Sequence, residues 1–337
     1  MSEQSDTPQK NLGFVKAVNL AFHDALAADP SVFLMGEDIA DEEDGGVFKA
    51  TAGLSTKFGV ERVRSTPIAE EGFVAAGIGA AQAGLRPVVE VMLMGFMTMA
   101  MDPIHNVAAK WRYMTAGTSS VPITITTLAG AGSGIGAQHC DQLEIWLASS
   151  PGLTVVQPSN PLEAYALLTG SIFDDDPVVF ILQSSLTGRP LRMPMPEPGT
   201  RYPLGKANVS RTGTDVSVIG YGAQIQDTLG VAEKLAEEGI SVEVVDLRTI
   251  APFDARTVLT SVAKTKRAVI VHEARSNFGP SAEISSQIYQ ELFGELAAPI
   301  ERVGAPFTPV PSSPGLEAEY MVGPERIEAA IRRVVSA

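Results

Sequence analysis

Short apolar runs rich in β-branched residues recur along this chain, each parted from the next by a helix-length stretch, and that alternation most narrows its fold. Strands alternating with helices argue for parallel sheets with helical crossovers. In the first half the spacing predicts strands over 32–35, 88–92, 121–127, 153–156 and 178–182. Helices are expected between them over 14–28, 72–83, 96–113, 142–149 and 162–173. Asn160-Pro161 opens the last of these with a capping side chain followed by a first-turn proline. The rhythm then breaks over 184–203, which holds five prolines and two glycines. A second alternating unit follows, with strands over 216–221, 242–247, 268–272 and 300–303. Its helices are expected over 224–238, 254–263, 282–292 and 324–335, with Gly239 as a C-cap glycine. The reading is α/β, two parallel-sheet domains: a loose tail over 1–10, a first domain over 11–185, a linker over 186–203 and a second domain over 204–337.

Composition removes several classes of function. A net charge of −14 leaves no basic stripe for a phosphate backbone, so no nucleic-acid partner is expected. No apolar run reaches the length that spans a bilayer; the richest, 88–101, carries Glu90 and ends at Asp102-Pro103. Residues 1–10 are polar, without an apolar signal core, and the single cysteine, Cys140, has no internal disulfide partner. These features point to the cytoplasm and to no membrane partner.

Three local features carry chemistry. In Thr66-Pro67-Ile68-Ala69-Glu70-Glu71-Gly72, two carboxylates enter a small-residue helix, Ala75 to Ala83. One is a candidate protonated or proton-sharing acid, because a desolvated carboxylate without a partner gives up its charge. The competing reading is that both complement a helix N-terminus. Gly130-Ala131-Gly132-Ser133-Gly134-Ile135-Gly136 follows a strand and fits a pyrophosphate-binding turn. With Tyr202 and Lys206 it suggests a short-chain NAD(P) dehydrogenase, but Pro203 and Gly205 argue against the helix that would align that pair. His139, in the same glycine-rich stretch, is a candidate proton donor and equally a structural histidine. Its neighbour Cys140 does not face it, so a Cys–His nucleophile is not expected. Met92, Met94, Met97, Met99 and Met101 read as core packing, and four scattered histidines give no zinc spacing.

Several segments together resemble one family. Gly36-Glu37-Asp38-Ile39, Gly45-Gly46-Val47-Phe48 and Thr66-Pro67-Ile68-Ala69-Glu70 occur in its order and spacing. Ala83-Gly84-Leu85-Arg86-Pro87, Ala109-Lys110-Trp111-Arg112-Tyr113, Ala137-Gln138-His139 and Ser150-Pro151-Gly152-Leu153 follow. Asp174-Asp175-Asp176-Pro177, Val245-Asp246-Leu247-Arg248-Thr249 and Ala282-Glu283-Ile284 complete the series. From about Leu12 to the end, the chain resembles the β subunit of the thiamine-diphosphate-dependent 2-oxoacid dehydrogenases of the pyruvate, acetoin and branched-chain type.

That resemblance implies a pyrimidine-binding domain followed by a transketolase C-terminal-like domain. It implies decarboxylation of a 2-oxoacid and transfer of the acyl group to lipoamide, with an acetoin dehydrogenase as the alternative within the family. Glu70, rather than Glu71, stands where the family's cofactor-activating glutamate hydrogen-bonds the aminopyrimidine. His139 stands at its active-site histidine, Phe96 at its aromatic contact to the pyrimidine and Glu37 at a carboxylate beside the cofactor's water path. Carbonyls of Ile123, Ser171, Ile172, Asp174 and Asp176 match a potassium site. The Gly-Asp-Gly…Asn signature that holds Mg2+ and the diphosphate does not occur in this sequence. The resemblance therefore implies thiamine diphosphate with Mg2+ shared with an α subunit in an α2β2 heterotetramer, and docking to a dihydrolipoyl acyltransferase core. Departures lie at Cys140-Asp141, where many relatives have Ser-Gln, and in the turn Ser276 to Ser281. Met92 and Phe96 replace the Gln and Tyr of branched-chain enzymes and are closer to the pyruvate and acetoin types.

Overall fold

The computed structural model describes residues 11–337, and the tail expected over 1–10 lies outside them. The first half runs β1 (Asn11–Leu12), α1 (Phe14–Ala28), β2 (Val32–Gly36), α2 (Leu54–Phe58), β3 (Val63–Ser65), α3 (Glu70–Gln82), β4 (Arg86–Leu93) and α4 (Ala109–Met114). It continues through β5 (Thr124–Ala129), α5 (Glu144–Ala148), β6 (Thr154–Val156), α6 (Pro161–Ile172), β7 (Val178–Gln183), α7 (Ser184–Thr187) and β8 (Met193–Pro194). The second half runs β9 (Asn208–Arg211), β10 (Val216–Gly220), α8 (Ala223–Glu237), β11 (Val242–Asp246), β12 (Thr249–Ala251) and α9 (Ala255–Thr265). It ends with β13 (Ala268–Arg275), α10 (Pro280–Leu292), β14 (Glu301–Ala305), α11 (Pro314–Tyr320) and α12 (Pro324–Ser336).

The apolar pattern dictates these elements. In α1, Phe14, Ala17, Val18, Ala21, Phe22, Ala25 and Leu26 recur at helical spacing and are all buried, so one stripe faces the core. Strands β5 and β7 are buried at every position, as sheets covered on both faces require. At α6 the Asn160 side chain accepts the Glu163 N–H at 3.0 Å and Pro161 occupies the first turn, as expected.

A seven-stranded sheet has the order β12-β6-β7-β5-β4-β2-β3, parallel except for β12. A five-stranded sheet has the order β14-β13-β10-β11-β9, parallel except for β9. The sheet chemistry agrees with the expected pair of parallel sheets, and four details differ. The strand expected over 121–127 begins at Thr124, because Pro122 has no N–H for the ladder. The single helix expected over 96–113 is broken into a 3-10 helix, Met94–Ala100, a π-helix, Pro103–Ala108, and α4, with the break where Pro103 removes a donor. The proline-rich stretch after residue 185 is not bare chain: β8 pairs antiparallel with β1, and Met195 is buried. Strand β12, from the second half, adds antiparallel to β6 of the first sheet, Thr249 opposite Val156. One hydrophobic core accordingly runs from Phe73, Ile78 and Val89 through Ile125 and Val155 to Tyr221, Ile270 and Ile284.

Candidate active site

The candidate residues from the first half meet at one edge of its sheet. Glu37 follows the last residue of β2, and Thr66 to Glu70 lead from β3 into α3. Phe96 follows β4, and His139 lies in the loop after β5. Strands β3, β2, β4 and β5 are consecutive parallel neighbours, so all four segments leave from their carboxyl ends. That edge is where open α/β sheets bind their ligands.

Three carboxylates crowd there. Glu37 is 6% exposed and its Oε1 has no hydrogen-bond partner among the described residues. Burial raises its pKa above the usual carboxylate value, and the charges of Glu70 and Asp38 push in the same direction. Glu90, in the middle of β4, is the carboxylate that sequence reasoning passed over. Burial pushes its pKa up to about 7, helped by the charge of Glu37. Its only visible signal was a lone carboxylate inside Val88-Val89-Glu90-Val91, which weighed only against a membrane span. Beside Glu90, Phe48, Met92, Thr126 and Thr127 line a cavity of about 10 Å3, room for one water. Among the described residues the hydroxyls of Thr66, Thr126 and Thr127 have no hydrogen-bond partner. Glu70 is the first residue of α3 and half-buried, whereas Glu71 is exposed. Helix α3 turns Phe73, Val74, Gly77, Ile78 and Ala81 inward, leaving Gly72, Ala75, Ala76 and Gly79 on an exposed face. Ile68, just before Glu70, is 83% exposed.

Phe96 and His139 are in edge-to-face contact, ring centroids 5.6 Å apart at 78°. The close approach behind them needs Gly95: a Cβ there would stand 2.5 Å from the Gln138 carbonyl oxygen. The two residues that follow His139 are both accommodated. Cys140 is fully buried, and Asp141 is ion-paired at 3.3 Å with Arg275 from β13, so its extra charge is matched.

The glycine stretch 130–136 is not followed by a helix that would cradle a pyrophosphate, since α5 begins only at Glu144. Three of its amides already have carboxyl partners, and burial pushes the pKa of one of them, Glu273, up to about 7. The Ala131 N–H donates to Glu273 Oε1 at 2.6 Å, and those of Gly132 and Gly134 donate to Glu317 Oε1 at 2.8 and 3.1 Å. Tyr202 and Lys206 lie in irregular chain, and the Tyr202 ring sits under the Arg248 guanidinium at 4.7 Å. Neither half of an NAD(P) dehydrogenase site is therefore formed.

The carbonyls matched to a potassium site gather where α6 passes into β7 and where β5 begins. The Ile123 carbonyl accepts the Val178 N–H at 3.0 Å, and that of Asp174 accepts Arg86 Nη1 at 2.8 Å. Each keeps one further lone pair for a cation. Asp176 spends its carboxylate on Arg112 at 2.5 Å. No group of three or more His, Cys, Asp or Glu side chains able to hold a metal occurs among the described residues.

Residues 10–189 match the transketolase pyrimidine-binding domain family and residues 205–327 the transketolase C-terminal domain family. The chain is 42% identical over 334 residues to the β subunit of the acetoin:2,6-dichlorophenolindophenol oxidoreductase of Cupriavidus necator, covering 97% of this chain and 98% of that protein. It is 43% identical over 319 residues to the mitochondrial pyruvate dehydrogenase E1 component subunit beta-1 of Arabidopsis thaliana, covering 94% and 87%. The chain belongs to the β-subunit family of thiamine-diphosphate-dependent 2-oxoacid dehydrogenases. A solved structure titled split-gene transketolase, inactive beta4 tetramer, shares the fold of this β-subunit chain with a TM-score of 0.76 at 21% identity, over 96% of this chain and 99% of that one. Membership of the β-subunit family also removes the NAD(P) dehydrogenase alternative that the glycine stretch had suggested.

Proposed function

We propose that this chain is the β subunit of a decarboxylating 2-oxoacid dehydrogenase acting on a small, pyruvate-like substrate, or on acetoin, and that it works only with an α subunit. The observation that carries this reading is the convergence of Glu37, Glu70, Phe96 and His139 on one sheet edge, with Ile68 and the small-residue face of α3 uncovered beside them. Exposed apolar surface of this kind marks an interface.

The residues present fit thiamine diphosphate. Bound, that group supplies an electron sink for decarboxylation. Glu70 and Phe96 would hold its pyrimidine, Glu70 through a charge-assisted hydrogen bond and Phe96 through its ring face. The buried, unpartnered Glu37 Oε1 is suited to ordered water behind Glu70. His139 stands against Phe96, where its imidazole can give or take a proton at the reacting carbon. Small apolar substrate is favoured by Met92 and Phe96, which offer no hydrogen bond to a longer or polar side chain. Mg2+ and the diphosphate would be held by the α subunit, in an α2β2 assembly, and potassium by backbone carbonyls of Ile123, Ser171, Ile172, Asp174 and Asp176, of which Ser171 already accepts two backbone N–H groups. Docking of the assembly to an acyltransferase core is part of the same proposal.

The test is co-expression with an α-type chain bearing Gly-Asp-Gly…Asn. Reduction of 2,6-dichlorophenolindophenol with pyruvate or acetoin, dependent on thiamine diphosphate and Mg2+, is expected from the pair and not from this chain alone. Micromolar cofactor binding by the isolated chain in calorimetry would overturn the shared site.

A further inference from the structure

The loop that carries His139 is held from the other half of the chain. Gly130, Gly132, Gly134 and Gly136 all have positive φ, between 71° and 107°, the region glycine adopts most readily. Two carboxylates of the second half meet those amides. Glu317, in α11, accepts from Gly132 at 2.8 Å and from Gly134 at 3.1 Å, and is 7% exposed. Glu273, in β13, accepts from Ala131 at 2.6 Å through Oε1, while Gln183 donates to its Oε2. The approach is so close that a Cβ on Gly130 would stand 2.7 Å from Glu273 Oε1. Under the loop, Ala131 and Cys140 share a small apolar cluster with Ala305, Val310 and Tyr320, all from the second half. Both ends of the 131–140 segment are thus anchored across the molecule, and the Asp141–Arg275 ion pair repeats the pattern one residue beyond Cys140.

An anion-binding loop of this build has spent its amides on internal carboxylates. Charge-assisted bonds to backbone N–H groups are the strong ones, and those in a partly buried loop are hard for water to replace. Among the described residues no hydrogen bond or ion pair joins Glu317 or Glu273 to Phe96 or His139, so their effect on chemistry is assigned to the loop.

We propose that Glu317 and Glu273 are positioning residues that grip the glycine loop by its amides and thereby fix the place of the His139 imidazole beside Phe96. The proposal rests on the reading of His139 as a working group in the proposed function.

The experiment uses the chain assembled with its α-type partner and the variants Glu317→Ala, Glu317→Gln and Glu273→Gln. Hydrogen exchange of the peptide spanning 129–141 is the first readout, because it needs no turnover. Glu317→Ala should speed exchange in that peptide about tenfold or more, the loss expected for a charged acceptor. Glu317→Gln, which keeps one acceptor oxygen, should fall between it and the parent, with β4 peptides unchanged in all three variants. The second readout is a double-mutant cycle with His139→Ala. In the parent background Glu317→Ala should lower kcat about tenfold with little change in KM, the scale of a misplaced reacting group. In the His139→Ala background it should change kcat by less than about twofold, since the group being positioned is gone. Unchanged exchange in Glu317→Ala overturns the grip, and an undiminished tenfold loss on top of His139→Ala overturns its action through His139. Absence of thiamine-dependent turnover in the parent pair would instead count against the proposed function, with the exchange arm still deciding the grip.

Discussion

Glu90→Gln should stabilise this protein at alkaline pH and scarcely affect it in acid. The fold holds the Glu90 carboxyl with a pKa of about 7, against an ordinary 4.5, because burial and the charge of Glu37 both disfavour ionisation. Between those two pH values the folded state binds a proton that the unfolded chain has lost. Stability therefore falls as pH rises from about 4.5 to about 7, and below about 4.5 the group contributes nothing. At roughly 1.4 kcal/mol per pH unit the full cost is about 3.5 kcal/mol above neutrality. Residual contact with solvent screens this to about 2 kcal/mol. Glutamine keeps the shape and never ionises, so the variant escapes the cost. Urea unfolding of parent and variant in the same assembly state, at pH 5 and pH 8, measures the difference. The variant should gain about 2 kcal/mol at pH 8 and well under half of that at pH 5, with unchanged denaturant slope. An equal gain at both pH values, or a loss at pH 8, would refute the argument that Glu90 is held neutral by its surroundings.

Three further outcomes follow from the geometry. Glu70→Gln should lower turnover of the assembled enzyme about a hundredfold or more while leaving the fold intact, and Glu71→Gln should leave turnover near normal; steady-state kinetics on both variants decides between the two carboxylates. His139→Ala should retain thiamine diphosphate affinity in calorimetry but slow decarboxylation or acyl transfer to lipoamide, and unchanged rates in both half-reactions would return it to a structural role. Gly152→Ala should unfold or severely destabilise the chain, by about 3 kcal/mol or more, because φ is +100° there and a Cβ would stand 1.9 Å from the Ala109 carbonyl oxygen; thermal melting near the parent value would contradict this packing.

Most helices and central strands were legible because their apolar residues repeat without interruption. The limits of α1 were read to the residue, since its buried stripe is complete from Phe14 to Leu26. Short elements were not: Thr249-Ile250-Ala251 is too brief to show a period, and its place beside β6 depends on a fold already formed. The break of the expected 96–113 helix was signalled by Pro103, which its apolar methionines outweighed. For the candidate site, Glu37, Glu70, Phe96 and His139 were singled out by motif order, and the structure brings their segments to one edge. The partners of the glycine loop were not, because Glu317 stands 185 residues from Gly132 and nothing local to either announces the pairing. The same loop reads as a nucleotide cradle in isolation, which shows how far a glycine pattern depends on what faces its amides.

Strand β12 has a consequence for how this chain is made. It closes the flank of the first sheet, and without it β6 would present its outer N–H and C=O groups unpaired. Unpaired sheet flanks recruit foreign strands. On the ribosome, β6 at residues 154–156 emerges long before its cover at residues 249–251, so the half-synthesised chain passes through a stage with an open, sticky border. A truncation after the first half would make that stage permanent, and such a fragment is expected to precipitate or to need a chaperone. The region of the chain that looks expendable to the first sheet is the one that makes it safe to release.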